Sequence, residues 1–294
     1  MINQIKKIIL KVIAKKRAWS IGIFSISKTS LFEIESFIPN EPTITALDIT
    51  DCKASFVADP FLIKENGIIY CFFEIKDKIK NKGVIGVSSS QDGINFDYQK
   101  IVLEEQFHLS YPSIYAINGE HYMIPESGEN NDVRLYKAND FPYDWKLEKI
   151  LLQGKAYADA TITFYENRWY MFVSENTHDK LEVFYSDTID GTYQPHSQNP
   201  IYTNNLQYAR CGGTIIKYQN NIYRFGQDCH KRYGEKLYLL KIETLTPSNF
   251  KEKRLKLMTN VQMRLIWNAR KMHHASYLEL ENFYLVAMDG EGFQ

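Results

Sequence analysis

The sequence predicts an all-β protein built as a five-bladed β-propeller. Three observations lead there. One strand–turn–strand pattern recurs five times, its copies start about every 50 residues, and further strand-like runs lie between the copies. A propeller blade is a four-stranded sheet, and a repeat of this length accommodates four strands.

The hairpins follow in order. The first is ADPFLIKENGIIYCFFE (58–74), the second SYPSIYAINGEHYMIPE (110–126) and the third ADATITFYENRWYMFVSE (158–175). The fourth is ARCGGTIIKYQNNIYRFGQD (209–228) and the fifth HHASYLELENFYLVAMD (273–289). Each opens on a polar residue, alternates apolar positions, turns, and returns through an aromatic-rich run. Asn66-Gly67 and Asn118-Gly119 are strong signals for tight two-residue turns, because both residues tolerate positive φ. Glu166-Asn167, Asn220-Asn221 and Glu281-Asn282 are expected in the same slot. Outer strands are expected from VIGVSSSQDGINF (84–96), LEVFYSDTIDGTY (181–193) and KLYLLKIETL (236–245). The fifth repeat ends too early to supply its own outer strands. The run WSIGIFSI (19–26) has no other partner, so it is expected to join the last blade and close the ring.

Residues 1–17 hold six basic residues and no acid, with isoleucines near helical spacing. A basic amphipathic helix is expected over 1–18, ahead of a single propeller domain over 19–294. Lys11 interrupts the apolar run, so the segment is neither a signal peptide nor a membrane span. These features lead to the expectation of a cytoplasmic protein, with the helix either a peripheral contact to an anionic inner membrane face or a terminal helix packed on the body. The chain carries 35 basic and 35 acidic residues, which argues against a nucleic-acid partner. The four cysteines form no C-x-x-C pair and read as buried thiols. Neither a metal nor a cofactor is expected: no nucleotide loop or metalloprotease motif is present. His273-His274 is the one metal-like pair, but adjacent strand residues face opposite ways, so only one is expected in the channel.

The repeat also aligns polar residues. The first strand of a blade lines the central channel and the second runs back beside it. The residue opening one strand and the residue closing the other therefore share one end of the hairpin. This pairs Asp59 with Glu74, Tyr111 with Glu126, Asp159 with Glu175, Arg210 with Asp228, and His274 with Asp289, all at one mouth. Asp59, Glu126 and Asp159 are the candidate catalytic acids. Glu74, Tyr111, Glu175, Arg210, Asp228, His274 and Asp289 are the candidate substrate-binding residues. Carboxylates accept hydrogen bonds from sugar hydroxyls, and a pair of them supplies acid and base for glycosyl transfer or hydrolysis. Trp145, Trp169 and Trp267 are candidate platforms for sugar rings, with Trp169, mid-hairpin, expected to be core instead. Crowded carboxylates repel one another, so Asp59→Asn or Asp159→Asn is expected to leave stability unchanged or raise it.

The motifs ADPF, HLSYPS with IPES, DAT, ARCGG with GQDC, and MHH with AMDG resemble the N-terminal propeller domain of glucosamine inositolphosphorylceramide transferases. That family includes bacterial proteins of surface-polysaccharide loci. The resemblance covers about residues 19–290 and rests on five motifs in order. It implies a fold similar to the arabinanase-like and fructosidase-like five-bladed glycosidases, with Asp59 matching their first catalytic carboxylate and Asp159 resembling the second. Their general acid is a Glu opening a middle blade, and this sequence has none at an inner-strand start. The functional expectation is a glycosyltransferase of cell-surface polysaccharide or glycolipid synthesis, with a sugar donor and a glycan or glycolipid acceptor. A glycoside hydrolase and a non-catalytic glycan-binding propeller are the alternatives.

Overall fold

The computed structural model describes residues 17–258 and 267–293. Among the described residues, nineteen strands form five antiparallel sheets. Blade one holds β2 (Ala54–Glu65), β3 (Ile68–Asp77), β4 (Lys82–Ser90) and β5 (Asp97–Leu103). Blade two holds β6 (Ser110–Ile117), β7 (Glu120–Ser127), β8 (Asp132–Asp140) and β9 (Asp144–Gln153). Blade three holds β10 (Tyr157–Tyr165), β11 (Arg168–Glu175), β12 (Leu181–Ser186) and β13 (Gln194–Pro195). Blade four holds β14 (Ile216–Tyr218), β15 (Asn221–Asp228), β16 (Lys236–Leu245) and β17 (Phe250–Leu257).

Blade five closes the ring as expected. β18 (Ala275–Glu279) pairs with β19 (Phe283–Phe293), and β1 (Arg17–Ser27) pairs with β19 from Arg17↔Phe293 to Ser27↔Phe283. The driving force is burial of Ile21 and Ile26, which are almost wholly removed from water. Ile44 adds a fourth edge, exchanging backbone hydrogen bonds with Ile21 at 2.9 and 3.0 Å. The helix expected over 1–18 falls on residues 1–16, which lie outside the described residues; Arg17 and Ala18 begin β1. No described helix is long and apolar enough to cross a membrane.

Asn66-Gly67, Asn118-Gly119 and Glu166-Asn167 all take positive φ at both residues, the geometry of a hairpin turn matched to strand twist. The fourth turn differs from expectation by one residue. Gln219 and Asn220 form it, and Asn221 already pairs with Tyr218. The four cysteines are free thiols, and three of them are buried.

Blades are stitched at the channel. Gly213 of blade four bridges Ala275 of blade five at φ 131°, and a Cβ on Gly213 would sit 1.9 Å from the Ala275 carbonyl oxygen. Only glycine fits that approach. The apolar faces of neighbouring blades form the core. One cluster joins Phe61, Phe72, Tyr111, Met123, Phe172 and Val183.

Candidate functional site

The site begins as a backbone irregularity repeated in three blades. Pairing skips from Ala58↔Glu74 to Phe61↔Phe72, from Ser110↔Glu126 to Ser113↔Ile124, and from Ala158↔Ser174 to Thr161↔Phe172. The bulged residues Asp59, Tyr111 and Asp159 adopt φ of 53°, 45° and 53°. Left-handed backbone is costly for residues other than glycine and concentrates at functional sites. Each bulge re-aims a side chain that would otherwise alternate along its strand.

On one side of the mouth, Arg210 organises two acids. Its Nε donates to Asp159 Oδ2 at 2.6 Å, and its Nη2 donates to Asp159 Oδ1 at 3.2 Å and Glu126 Oε2 at 3.1 Å. Its Nη1 donates to His178 Nδ1 at 2.6 Å, and the Tyr233 ring lies 5.2 Å from its Cζ. Gln227 Nε2 adds a 2.7 Å bond to Asp159 Oδ2. The Asp159 side chain is 2% exposed and the Glu126 side chain 12%, so Asp159 is the more deeply buried of the two. Burial pushes the Glu126 carboxyl well above its usual range, with Asp159 adding to the effect against the pull of Arg210. Burial also pushes Asp159 up, but Arg210 and a hydrogen bond from Glu126 outweigh it and hold Asp159 below its usual value. The two neighbouring carboxyls are thus pushed in opposite directions. Burial, followed by Arg210, lowers His178 to about 4, leaving it neutral.

On the other side, Asp289 anchors two histidines. Its Oδ1 accepts the backbone N–H groups of His273 and His274, both at 3.1 Å. Its Oδ2 accepts the Asp59 N–H at 3.2 Å and lies 2.7 Å from His273 Nδ1. Both histidine rings approach the same Asp59 oxygen: His273 Nε2 at 4.0 Å and His274 Nδ1 at 3.9 Å from Oδ1. This corrects the expectation that only one of the pair reaches the channel. The two residues precede β18 and lack its regular alternation, because the Asp289 carboxylate takes both of their N–H groups. Burial drives Asp59 well above the usual carboxylate range against the pull of His273, and Asp289, Glu74 and Asp159 raise it further. Burial raises Asp289 as well, but His273 outweighs it and keeps Asp289 ionised. His273 is lifted above its usual value by Asp289 against the downward push of burial. Burial lowers His274 to about 4.

Tyr111 plugs the channel between these halves. Its hydroxyl shares a 2.7 Å bond with Thr161 Oγ1, donates to Gly213 O at 3.1 Å and accepts from Gly213 N at 2.8 Å. The ring is fully buried, with Phe61 and His274 edge-on at 4.9 and 5.1 Å.

The remaining predicted residues lie nearby without joining either cluster. Glu74 is buried, 3.3 Å from His108 Nε2. Glu175 pairs with Lys180 at 3.0 Å and Lys155 at 3.3 Å. Asp228 accepts the His230 N–H at 3.0 Å, while the Arg210 side chain turns away to blades two and three. Trp145 packs on Phe72 and Trp267 is buried with its indole N–H on Pro39 O, so both are core. Trp169 lies tilted against Phe164, ring centroids 5.3 Å apart, beside the β10–β11 turn, at the opposite end from Asp159. The groove of about 650 Å³ between the β10–β11 and β14–β15 turns is at that end too, with Glu166 its one carboxylate.

Sequence reasoning missed His178, Gln227, Tyr233 and Trp19, and it left His273 out of the site in favour of His274. Trp19 stacks on His273 at 4.3 Å, and Tyr233 meets His273 and His178 at 5.2 Å each. Gln227 and His273 sit beside residues that the repeat did single out, at the same hairpin ends. Tyr233 and His178 lie in loops between strands, where a repeat has no register.

Fold and site together define a five-bladed propeller with a carboxylate-lined mouth, the architecture of several glycoside hydrolases. The chain is similar in fold to an α-L-arabinanase from Cellvibrio cellulosa solved with arabinohexaose. The TM-score is 0.53 at 16% identity, over 67% of this chain and 77% of that one. It is also similar to an exo-β-1,3-galactanase from Clostridium thermocellum (TM-score 0.62, 12% identity, 74% and 52% covered). A family 117 glycoside hydrolase from Zobellia galactanivorans matches over 92% of this chain and 90% of its own, at TM-score 0.56 and 12% identity.

The chain belongs to the family described as glucosamine inositolphosphorylceramide transferase 1, N-terminal, which it matches over residues 15–291. It is 35% identical to glucosamine inositolphosphorylceramide transferase 1 of Arabidopsis thaliana over 93% of its own length and 39% of the relative's. The corresponding protein of Oryza sativa subsp. japonica is 37% identical over 85% of this chain and 35% of the relative. The chain thus spans under two fifths of the curated relatives it matches.

Proposed function

We propose that this propeller handles a sugar at its acidic mouth during glycosyl transfer from an activated donor to a glycolipid or glycan acceptor. The observation that carries the proposal is Arg210 bridging a proton-bearing Glu126 and an ionised Asp159. Kinship to proteins named as transferases supports it. In this reading Glu126 gives its proton to the departing oxygen as the bond to the anomeric carbon breaks. Asp159 stabilises the positive charge that develops on the sugar. The acceptor hydroxyl forms the new bond, and its proton returns to Glu126. Tyr233, 40% exposed beside Arg210, supplies a ring face for the sugar. The basic residues of 1–17 would hold the domain against an anionic membrane that presents a lipid-linked acceptor.

The test is transfer of labelled sugar from a panel of uridine-diphosphate sugars to inositolphosphorylceramide by the purified chain. Turnover that needs the acceptor and disappears in Glu126→Gln is the expected result. Release of free sugar without acceptor supports hydrolysis instead. Saturable sugar binding with no turnover supports a recognition module and overturns the transferase reading.

A further inference from the structure

Three basic stretches of the chain meet on the mouth side of the ring. Strand register fixes their side. β3 and β4 continue past Glu74↔Ile85 to Asp77↔Lys82, so the turn between them projects from the mouth. β15 and β16 end there at Asp228↔Lys236, and Tyr233 in the turn between them lies 5.2 Å from the Arg210 Cζ. β1 pairs Ile21 with Asp289 and Arg17 with Phe293. Arg17, where the basic run of residues 1–17 enters β1, is therefore on the mouth side too.

The β3–β4 turn reads Lys76-Asp77-Lys78-Ile79-Lys80-Asn81-Lys82. Ile79 at its tip is 78% exposed. The turn is held in shape from beneath: Asp77 Oδ1 accepts the Ile79 N–H at 2.7 Å and the Lys80 N–H at 3.2 Å, and Asn81 takes φ 53°. An aliphatic tip among lysines suits the lipid interface, where the apolar group sinks below the headgroups and the ammonium groups stay beside the anionic ones.

The charge around the rim is a second, independent observation. Rim acids are matched within the protein: Glu104 with Lys80 at 2.6 Å, Glu175 and Glu182 with Lys155 at 3.3 and 2.9 Å, and Glu291 with Lys271 at 3.3 Å. Lys53 and Lys78 beside Ile79, and Lys231 and Arg232 beside Tyr233, are exposed and make no ion pair among the described residues. The far side of the ring offers a contrast. Ile94 in the β4–β5 turn is 73% exposed, but its charged neighbours are Asp92 and Asp97.

We propose that the mouth face docks on an anionic lipid bilayer, with Ile79 inserted below the headgroups and Lys53, Lys78, Lys231 and Arg232 among them. Docking of this face rests on the reading that the chain works at a membrane, and it turns the Arg210 cluster toward the bilayer that presents a lipid-linked acceptor.

The test uses the full chain and vesicles of phosphatidylcholine with and without phosphatidylglycerol. Co-sedimentation should need phosphatidylglycerol and weaken as salt rises. Ile79→Glu, and Lys231→Glu combined with Arg232→Glu, should each weaken binding at least about tenfold, while Ile94→Glu leaves it unchanged. All four positions are exposed, and circular dichroism checks that the variants fold. An environment-sensitive dye on Ile79→Cys, in a Cys52→Ser chain whose other native thiols are buried, should shift to the blue on anionic vesicles. The same dye on Ile94→Cys should not. No vesicle binding, equal binding to pure phosphatidylcholine, undiminished binding by the folded charge variants, or a dye at position 79 that stays in water would each overturn docking of this face. Binding in this orientation without sugar transfer removes the transferase reading alone, and transfer to a lipid acceptor with position 79 in water removes the docking alone.

Discussion

Arg210 grips Asp159 with two nitrogens, at 2.6 and 3.2 Å, and the second of these also reaches Glu126 at 3.1 Å. One buried cation therefore reaches two acids. Arg210→Gln leaves Asp159 without its ionic partner, a loss that costs about 3–5 kcal/mol for a buried pair. Arg210→Lys keeps the charge but loses the fork, so it should recover only part of that stability. Thermal melts of the two variants check the order: wild type, then Lys, then Gln.

Glu126 sets the expected alkaline limit of activity. A proton donor works below its own pKa, and burial moves that pKa upward. Activity should therefore fall as pH rises through the raised value. The acid limit should follow Asp159, whose folded value is depressed. Glu126→Gln should lower turnover by roughly a hundred-fold and remove the alkaline limb. The linkage has the same sign: a raised carboxylate contributes stability at low pH that is lost as pH rises through the folded value. A pH–rate profile of Glu126→Gln that keeps the wild-type alkaline limb would remove Glu126 from the proton-donor role.

Tyr111 is expected to act on stability rather than on the sugar. Its hydroxyl joins blades two, three and four through Thr161 and Gly213. Tyr111→Phe strands a buried backbone N–H and carbonyl, at about 1–3 kcal/mol. A lowered Tm with unchanged sugar affinity is the expected result. A weakened affinity at unchanged Tm would show that Tyr111 touches substrate.

The fold was legible because a strand has a period of two and a hairpin has a turn signature, so five repeats reinforce one reading. The closing strand 19–26 was legible for the same reason: an unpartnered apolar strand and a blade short of strands imply each other. The fourth turn slipped by one residue because Gln219-Asn220 and Asn220-Asn221 are equally polar, and only the pairing of Tyr218 with Asn221 decides between them. The mouth was legible as a set of hairpin ends, which brought Asp59, Glu126, Asp159, Arg210, His274 and Asp289 forward. What the repeat does not encode is where a side chain goes once the strand bulges. Arg210 leaves its blade partner Asp228 for Asp159 in the neighbouring blade, and His273 joins His274 because regular alternation has not yet begun.

Ring closure is testable at Gly22. A Cβ there would lie 2.6 Å from the Trp267 ring, within the seam where β1 meets the last blade. The indole is held by its bond to Pro39 O and does not swing away freely. Gly22→Ala should therefore cost about 1–3 kcal/mol by overpacking. Removing residues 1–27 strips β19 of its partner and should prevent cooperative unfolding altogether. A truncated chain that melts like the intact one would refute closure by β1.

Asp59 and Asp159 occupy matching bulges, yet they should respond oppositely to the same change. Like-charge relief alone would make Asp59→Asn and Asp159→Asn equally benign. The structure separates them by what each carboxylate contacts. Asp159 is ionised and holds a bidentate Arg210 and Gln227. Its depressed pKa means that it contributes stability above the ordinary carboxylate value, lost as pH falls through the folded one. Asp159→Asn should therefore cost about 3–5 kcal/mol near neutral pH and less in acid. Asp59 has no such fork; burial keeps it protonated, and its Oδ2 merely accepts the Tyr111 N–H at 3.3 Å. An asparagine amide oxygen in the same place would serve that bond as well, so Asp59→Asn should leave Tm unchanged or slightly higher. Equal destabilisation by the two substitutions, at neutral pH and in acid alike, would show that the mouth is one charge network and not two.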